Sequence, residues 1–254
     1  MSENLPILEF DAERDAIINP RKYGMEQPVP TKGILCFFAD VIAKQVEQGT
    51  LQKIGQFRSE LAIHPVYRME KDGVELFVMH PGVGAPLAAG LLEEIICWGV
   101  KTIIVCGGCG VLNAEITAGH IVVVDSAVRD EGTSYHYLPA SREVDASPRV
   151  TKAIMEAIQR HGIPYRLGKT WTTDAFYRET PQRRSQRVAE GCSVVEMEAS
   201  ALFAVAQFRS IEIGMMVYGG DLVLPGAWDS RDWYKRKDDR QLIFNLAVEA
   251  CCHL

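Results

Sequence analysis

Glu196, Met197 and Glu198, followed by the isolated acid Asp221 in Tyr218-Gly219-Gly220-Asp221, are the residues of this chain best suited to chemistry. Carboxyl groups on separate elements can divide labour, one accepting hydrogen bonds from hydroxyls while ionised and the other giving a proton to a leaving group. A helix over residues 196–209 turns Ala199, Leu202, Phe203 and Val205 toward a core, and residues 211–217 read as a buried strand. Asp221 then stands at the carboxyl end of that strand, the edge where open α/β sheets bind ligands. The same residues also suit a plainer role. Acids in a first helical turn favour the positive end of the macrodipole, and Asp221 could simply open a loop.

The elements that must hold these acids alternate along the chain. Strands are expected at 74–80, 101–106, 121–128, 165–173 and 211–217, and helices at 85–98, 148–161, 181–190, 197–209 and 241–252. That alternation predicts an α/β fold: a single domain over residues 1–254, three layers, with a central mixed, largely parallel sheet flanked by helices. The 254 residues, 47% hydrophobic and 24% charged, are enough for one substantial core. The least regular interior stretch, 225–238, carries Trp228 and Trp233 directly after Asp221, as a lid or as an ordinary surface excursion.

A net charge of −6 argues against a general nucleic-acid or anionic-membrane surface, which would favour a basic stripe. Arg183-Arg184 and Lys235-Arg236-Lys237 are short runs that suit solvated surface. No export signal is read in Met1-Ser2-Glu3-Asn4-Leu5-Pro6, and no apolar run reaches a bilayer's thickness, so the expectation is a cytoplasmic protein with reduced thiols. Cys106-Gly107-Gly108-Cys109 has the spacing of a dithiol redox pair, but Gly110 and Val111 follow where such a pair opens a helix. It reads instead as a glycine turn holding small thiols. Cys251 and Cys252 read as packing residues, and no zinc spacing is present.

Two glycine-rich segments follow strands: His80-Pro81-Gly82-Val83-Gly84-Ala85-Pro86 and Cys106-Gly107-Gly108-Cys109-Gly110. Their backbones can approach an anion, although tight turns need glycine for steric reasons alone. With Val194-Val195-Glu196-Met197-Glu198-Ala199 and Gly220-Asp221, these strings resemble the nucleoside phosphorylase and nucleosidase superfamily, over roughly residues 74–221. Residues 130–137 and 172–180 resemble uridine-phosphorylase-like members.

The resemblance implies a phosphorylase/hydrolase-like fold and a set of roles. Glu198 would hold the ribose hydroxyls, with Glu196 and Met197 in the same subsite, and Asp221 would protonate a purine as the glycosidic bond breaks. Phe176, Tyr177, Gln182, Arg184, Cys109 and Gly110 would form the base subsite, the Gln182-Arg183-Arg184 triplet resembling a uracil clamp. Arg21 in Asn19-Pro20-Arg21-Lys22, with Gly82, Gly84 and Gly108, would bind phosphate. Family phosphorylases carry an arginine and a serine or threonine where this chain has Val105 and Gly108, and a valine cannot grip phosphate. Arg58, Arg68, Arg129 and Arg178 are other sources of charge. The expected activity is phosphorolysis of a nucleoside, purine ahead of uridine. Hydrolysis by water and binding without turnover are the alternatives. The resemblance implies a homo-oligomer, a dimer or ring of dimers, that takes nucleoside and inorganic phosphate and needs no metal or other cofactor.

Overall fold

The computed structural model describes residues 5–254; Met1 to Asn4, read above for an export signal, lie outside them. The strands are β1 (Lys32–Cys36), β2 (Gln52–Arg58), β3 (Ile63–Lys71), β4 (Val74–Met79), β5 (Thr102–Val111), β6 (Ile121–Asp130), β7 (Glu143–Asp145), β8 (Tyr165–Thr173), β9 (Cys192–Glu196), β10 (Glu212–Leu224) and β11 (Ala227–Asp229). The α-helices are α1 (Ala39–Glu47), α2 (Ala85–Cys97), α3 (Pro148–Arg160), α4 (Pro181–Ala189), α5 (Ala199–Arg209) and α6 (Lys237–Cys252).

The strands join one mixed sheet. Strands β4, β1, β5 and β10 run parallel side by side, as do β6, β8 and β9. Antiparallel pairings link β6 to β10 and β5 to β9, and add β2, β3, β7 and β11. Strands β5, β9, β8, β6 and β10 thereby close on themselves as a five-membered ring. Side chains alternate across the sheet, which fixes three layers. Leu35, Ile103, Val105, Met215 and Val217 pack with Leu91, Leu202 and Phe203 of α2 and α5. Ile34, Ile104, Cys106 and Met216 pack with Ile154, Ile158 and Phe244 of α3 and α6.

Helix α5 buries Ala199, Leu202, Phe203 and Val205, the face expected from the sequence. It starts at Ala199 rather than at 196 or 197, because Cys192–Glu196 form β9, a short strand between β5 and β8. The two glycine-rich strand ends also differ from expectation. Strand β5 continues through Cys106-Gly107-Gly108-Cys109-Gly110, and β10 continues through Asp221, because the two segments pair with each other from Val217↔Gly107 to Gly219↔Cys109. Gly108 is small for a reason: a Cβ there would lie 3.2 Å from the Tyr218 ring. Helix α6 begins at Lys237, ahead of the expected 241, with Asp238 and Asp239 in its first turn, where the dipole favours acids.

Among the described residues no helix is long and apolar enough to cross a membrane. Because Phe203 is fully buried between α5 and the sheet, Phe203→Ala should lower the unfolding free energy by about 3–5 kcal/mol, read from urea denaturation.

Candidate active site

Where β9 hands over to α5, the chain places Glu196 at the end of the strand and Glu198 at the helix N-cap. Glu196 is buried and collects donors. Its carboxylate accepts from Thr172 Oγ1 (2.6 Å) and Thr170 Oγ1 (3.3 Å) of β8, and from the backbone N–H groups of Glu198 (2.7 Å) and Ala199 (2.6 Å). It therefore satisfies the start of α5 from two residues upstream, where the dipole favours a negative charge. Ser200 extends the lattice: its N–H donates to Thr172 Oγ1 (3.0 Å) and its hydroxyl to Glu131 Oε1 (2.9 Å).

Glu198 points the other way, into a cleft of about 930 Å³. The N–H of Gly84 donates to its Oε1 at 2.6 Å. Gly84, at φ +88°, ends the glycine loop before α2 in a conformation that L side chains rarely adopt. The anion reached by this loop is thus the protein's own carboxylate. Burial pushes Glu198 up to about 8, with the charge of Glu196 adding to it and Gly84 opposing it. Burial raises Glu196 as well, but its four donors hold the charge there, so the proton of the pair sits on Glu198 near neutral pH.

Asp221 faces the same cleft by way of a β-bulge. Gly219 pairs with Cys109 and Leu222 with Val111, so Gly220 and Asp221 together oppose Gly110. A Cβ on Gly110 would lie 3.6 Å from Asp221 Oδ1. The indole of Trp228, on the β10–β11 hairpin, donates to Asp221 Oδ2 at 2.7 Å. Trp233 lines the cleft beside it, and Phe176 and Tyr177 form another wall with ring centroids 4.2 Å apart. The irregular stretch after Asp221 therefore borders the site.

The structure brings Glu196, Met197, Glu198, Asp221, Phe176, Tyr177, Gly108, Cys109 and Gly110 together around this cleft. The cysteine pair lies within β5, and burial raises both thiols well above their usual range, which suits packing rather than redox chemistry.

Other expected site residues lie elsewhere. The guanidinium of Arg184 is spent on backbone carbonyls, Val223 O (2.6 Å) and Leu112 O, and Gln182 is exposed on α4; neither lines the cleft. Arg21 does not reach it, because the preceding segment packs along α2 and α5, where Arg209 Nη1 donates to Arg14 O (2.8 Å) and Cys97 Sγ to Pro20 O (3.4 Å). Gly82 is also outside the lining; its N–H donates to His80 Nδ1 at 3.0 Å. Arg58, Arg68, Arg129 and Arg178 are absent from the cleft too. Arg129 is held by Ser134, Ser141 and the carbonyls of Leu138 and Pro139.

Three lining features escape the sequence reading. Phe37 and Phe38 close the end of β1, where Phe38 is the N-cap of α1. Arg240 of α6 is the only lysine or arginine among the described residues lining the cleft, and it is already engaged: Nη1 contacts Asp40 at 3.2 Å and Nε donates to Tyr218 OH at 3.3 Å. Glu179, just before α4, is a further acid in the lining. A lone glutamate between Tyr177 and Pro181 was the signal available for it. Among the described residues no group of three or more His, Cys, Asp or Glu could hold a metal ion.

Residues 31–251 match the family model described as the phosphorylase superfamily. The chain belongs to that superfamily. It is 32% identical over 157 residues to a guanosine phosphorylase of Halorubrum lacusprofundi, covering 60% of this chain and 64% of that protein. It is 32% identical over 165 residues to a uridine phosphorylase of Thermococcus kodakarensis, covering 60% of each. The aligned part thus spans under two thirds of these relatives. Among solved structures, uridine phosphorylase from Vibrio fischeri ES114 superposes with a TM-score of 0.77 at 22% identity, over 94% of this chain and 99% of that one, which establishes the shared fold.

The Glu196–Glu198 pair gives a signed expectation. A carboxyl whose folded pKa is raised contributes stability below its unfolded value, and that contribution is lost as pH rises toward the folded value. For Glu198 the window runs from 4.5 to about 8. Melting temperature should fall across it, and the fall should be shallower in Glu198→Gln when both proteins are scanned calorimetrically.

Proposed function

We propose that this chain cleaves the N-glycosidic bond of a nucleoside, a purine in preference to uridine, with phosphate as acceptor, releasing free base and sugar 1-phosphate. The observation that carries the proposal is Glu198, fixed by the Gly84 N–H and facing, with Met197, a cleft that Asp221 also lines. Departure of the base leaves oxocarbenium character on the sugar and negative charge on the base. A carboxyl at the sugar hydroxyls and an acid at the base each favour that transition state over the ground state. Hydroxyls donating to Glu198 favour its ionised form, so substrate binding itself restores the charge that burial suppresses. The aromatic walls offer faces on which the base can stack. The names of the relatives, guanosine and uridine phosphorylases, support the reaction class.

One observation favours a second reading, hydrolysis by water. Arg240 is the single cation lining the cleft among the described residues and is paired with Asp40, while Phe37, Phe38 and Gly108 line the wall where an attacking anion would need donors.

Release of base from inosine, adenosine and uridine, measured with and without phosphate, separates the readings. Release that depends on phosphate supports phosphorolysis, release indifferent to it supports hydrolysis, and no release refutes both. Glu198→Gln and Asp221→Asn should each lower kcat/KM by about 100-fold or more; full activity in both would remove the assigned roles.

A further inference from the structure

We propose that Glu179 acts with Asp221 as a carboxyl pair that delivers the proton to the departing base, so that the base end of the cleft holds two acids rather than one. The proposal rests on the reading of this chain as an enzyme that cleaves N-glycosidic bonds.

Glu179 follows the single helical turn Phe176–Arg178, whose two aromatic rings wall the cleft, and immediately precedes α4. Its place relative to Asp221 is fixed by a bracket. Arg184, on the first turns of α4, grips the carbonyls of Val223, two residues beyond Asp221, and of Leu112, just past β5. The segment bearing Glu179 is thereby fastened to the strand bearing Asp221, and both carboxyls line the same cleft.

The two acids are not equivalent. Asp221 accepts the Trp228 indole N–H at 2.7 Å. Burial pushes Glu179 up to about 7, the charge of Asp221 adds to this, and no donor or cation among the described residues offsets them. Other titratable groups around the cleft do not compete for the role. Cys109 is held neutral by burial, with its Sγ directed to Tyr218 O (3.3 Å). The Tyr218 phenol is raised by burial and donates to Trp233 O (3.1 Å). Glu196 and Glu198 serve the sugar end, the Tyr177 phenol is largely exposed, and Arg240 is paired with Asp40. Glu179 is therefore the group at the base end that carries a transferable proton near neutral pH.

The step balances. The C–N bond breaks with its electron pair going to the base. The Glu179 proton passes to a ring nitrogen of the base, directly or through Asp221, and an oxygen of phosphate or water bonds to the anomeric carbon. The proton released by that acceptor returns Glu179 to its acid form through solvent.

The test compares inosine with 7-methylinosine, whose base leaves neutral and needs no added proton, from pH 5.5 to 9. In the wild type kcat/KM for inosine relative to that for 7-methylinosine should show an alkaline limb above about pH 7, because titration of Glu198 affects both substrates alike. Glu179→Gln should lose about 100-fold on inosine, together with the alkaline limb, and stay within about threefold of wild type on 7-methylinosine. Equal loss on both substrates would mean a structural role only, and an unchanged rate and limb on inosine would mean no role; either overturns the proposal while leaving the function standing. A wild type that releases base from no nucleoside overturns the function and this proposal with it.

Discussion

The buried carboxylate of Glu196 is the interaction on which the rest of this site depends. It bridges two threonine hydroxyls of β8 and two backbone N–H groups at the start of α5, so one side chain joins a strand to a helix at the bottom of the cleft. A buried charge is tolerated only when its lone pairs are filled, and leaving such a group half-satisfied typically costs several kcal/mol. Here they are filled. The direction of Glu198 follows, because the helix start is fixed; burial raises its pKa, and the charge of Glu196 beside it adds to the rise.

The β5–β10 wall solves a different problem, turning an acid into the cleft from the interior of a sheet. Strands β5 and β10 pair through glycines, and the bulge at Gly220 and Asp221 re-aims the backbone at that point. Glycine at 108 admits the Tyr218 ring, and glycine at 110 leaves room for the Asp221 carboxylate. Aromatic rings from three separate segments complete the enclosure. Among the described residues its lining carries the carboxyl groups of Glu179, Glu196, Glu198 and Asp221 against one cation, Arg240.

Much of the fold was legible because its central elements carry strong periodicity. The expected strand at 165–173 is β8 with the same bounds, and α2, α3 and α4 end within a residue of expectation. Glycines misled where they were read as loops: in β5 and β10 they are strand residues whose missing side chains make space for a neighbour. Strand β9 escaped because five buried residues directly before a helix carry no period of their own. Asp221 stands out in the sequence by its place just past a strand, whereas Glu196 and Glu198, expected in a first helical turn, stand out by the string Val194–Ala199 that resembles the superfamily. Arg184, Gln182 and Arg21 were placed from local strings alone, and tertiary structure assigned Arg184 to carbonyls and the segment before Arg21 to the α2–α5 face. Arg240 could not be read in this way, since no local string marks it and it reaches the cleft only through the packing of α6 on the sheet.

The proposed function requires the sugar of a nucleoside to dock on Glu198 with its base beside the aromatic wall, Glu179 and Asp221. The most direct measurement is a crystal structure with a C-nucleoside, whose carbon–carbon glycosidic bond cannot be cleaved. Both sugar hydroxyls should lie within about 3 Å of the Glu198 carboxylate, with the base beside Phe176, Glu179 and Asp221. A ligand bound with its base at Glu198, or bound outside this cleft, would contradict it.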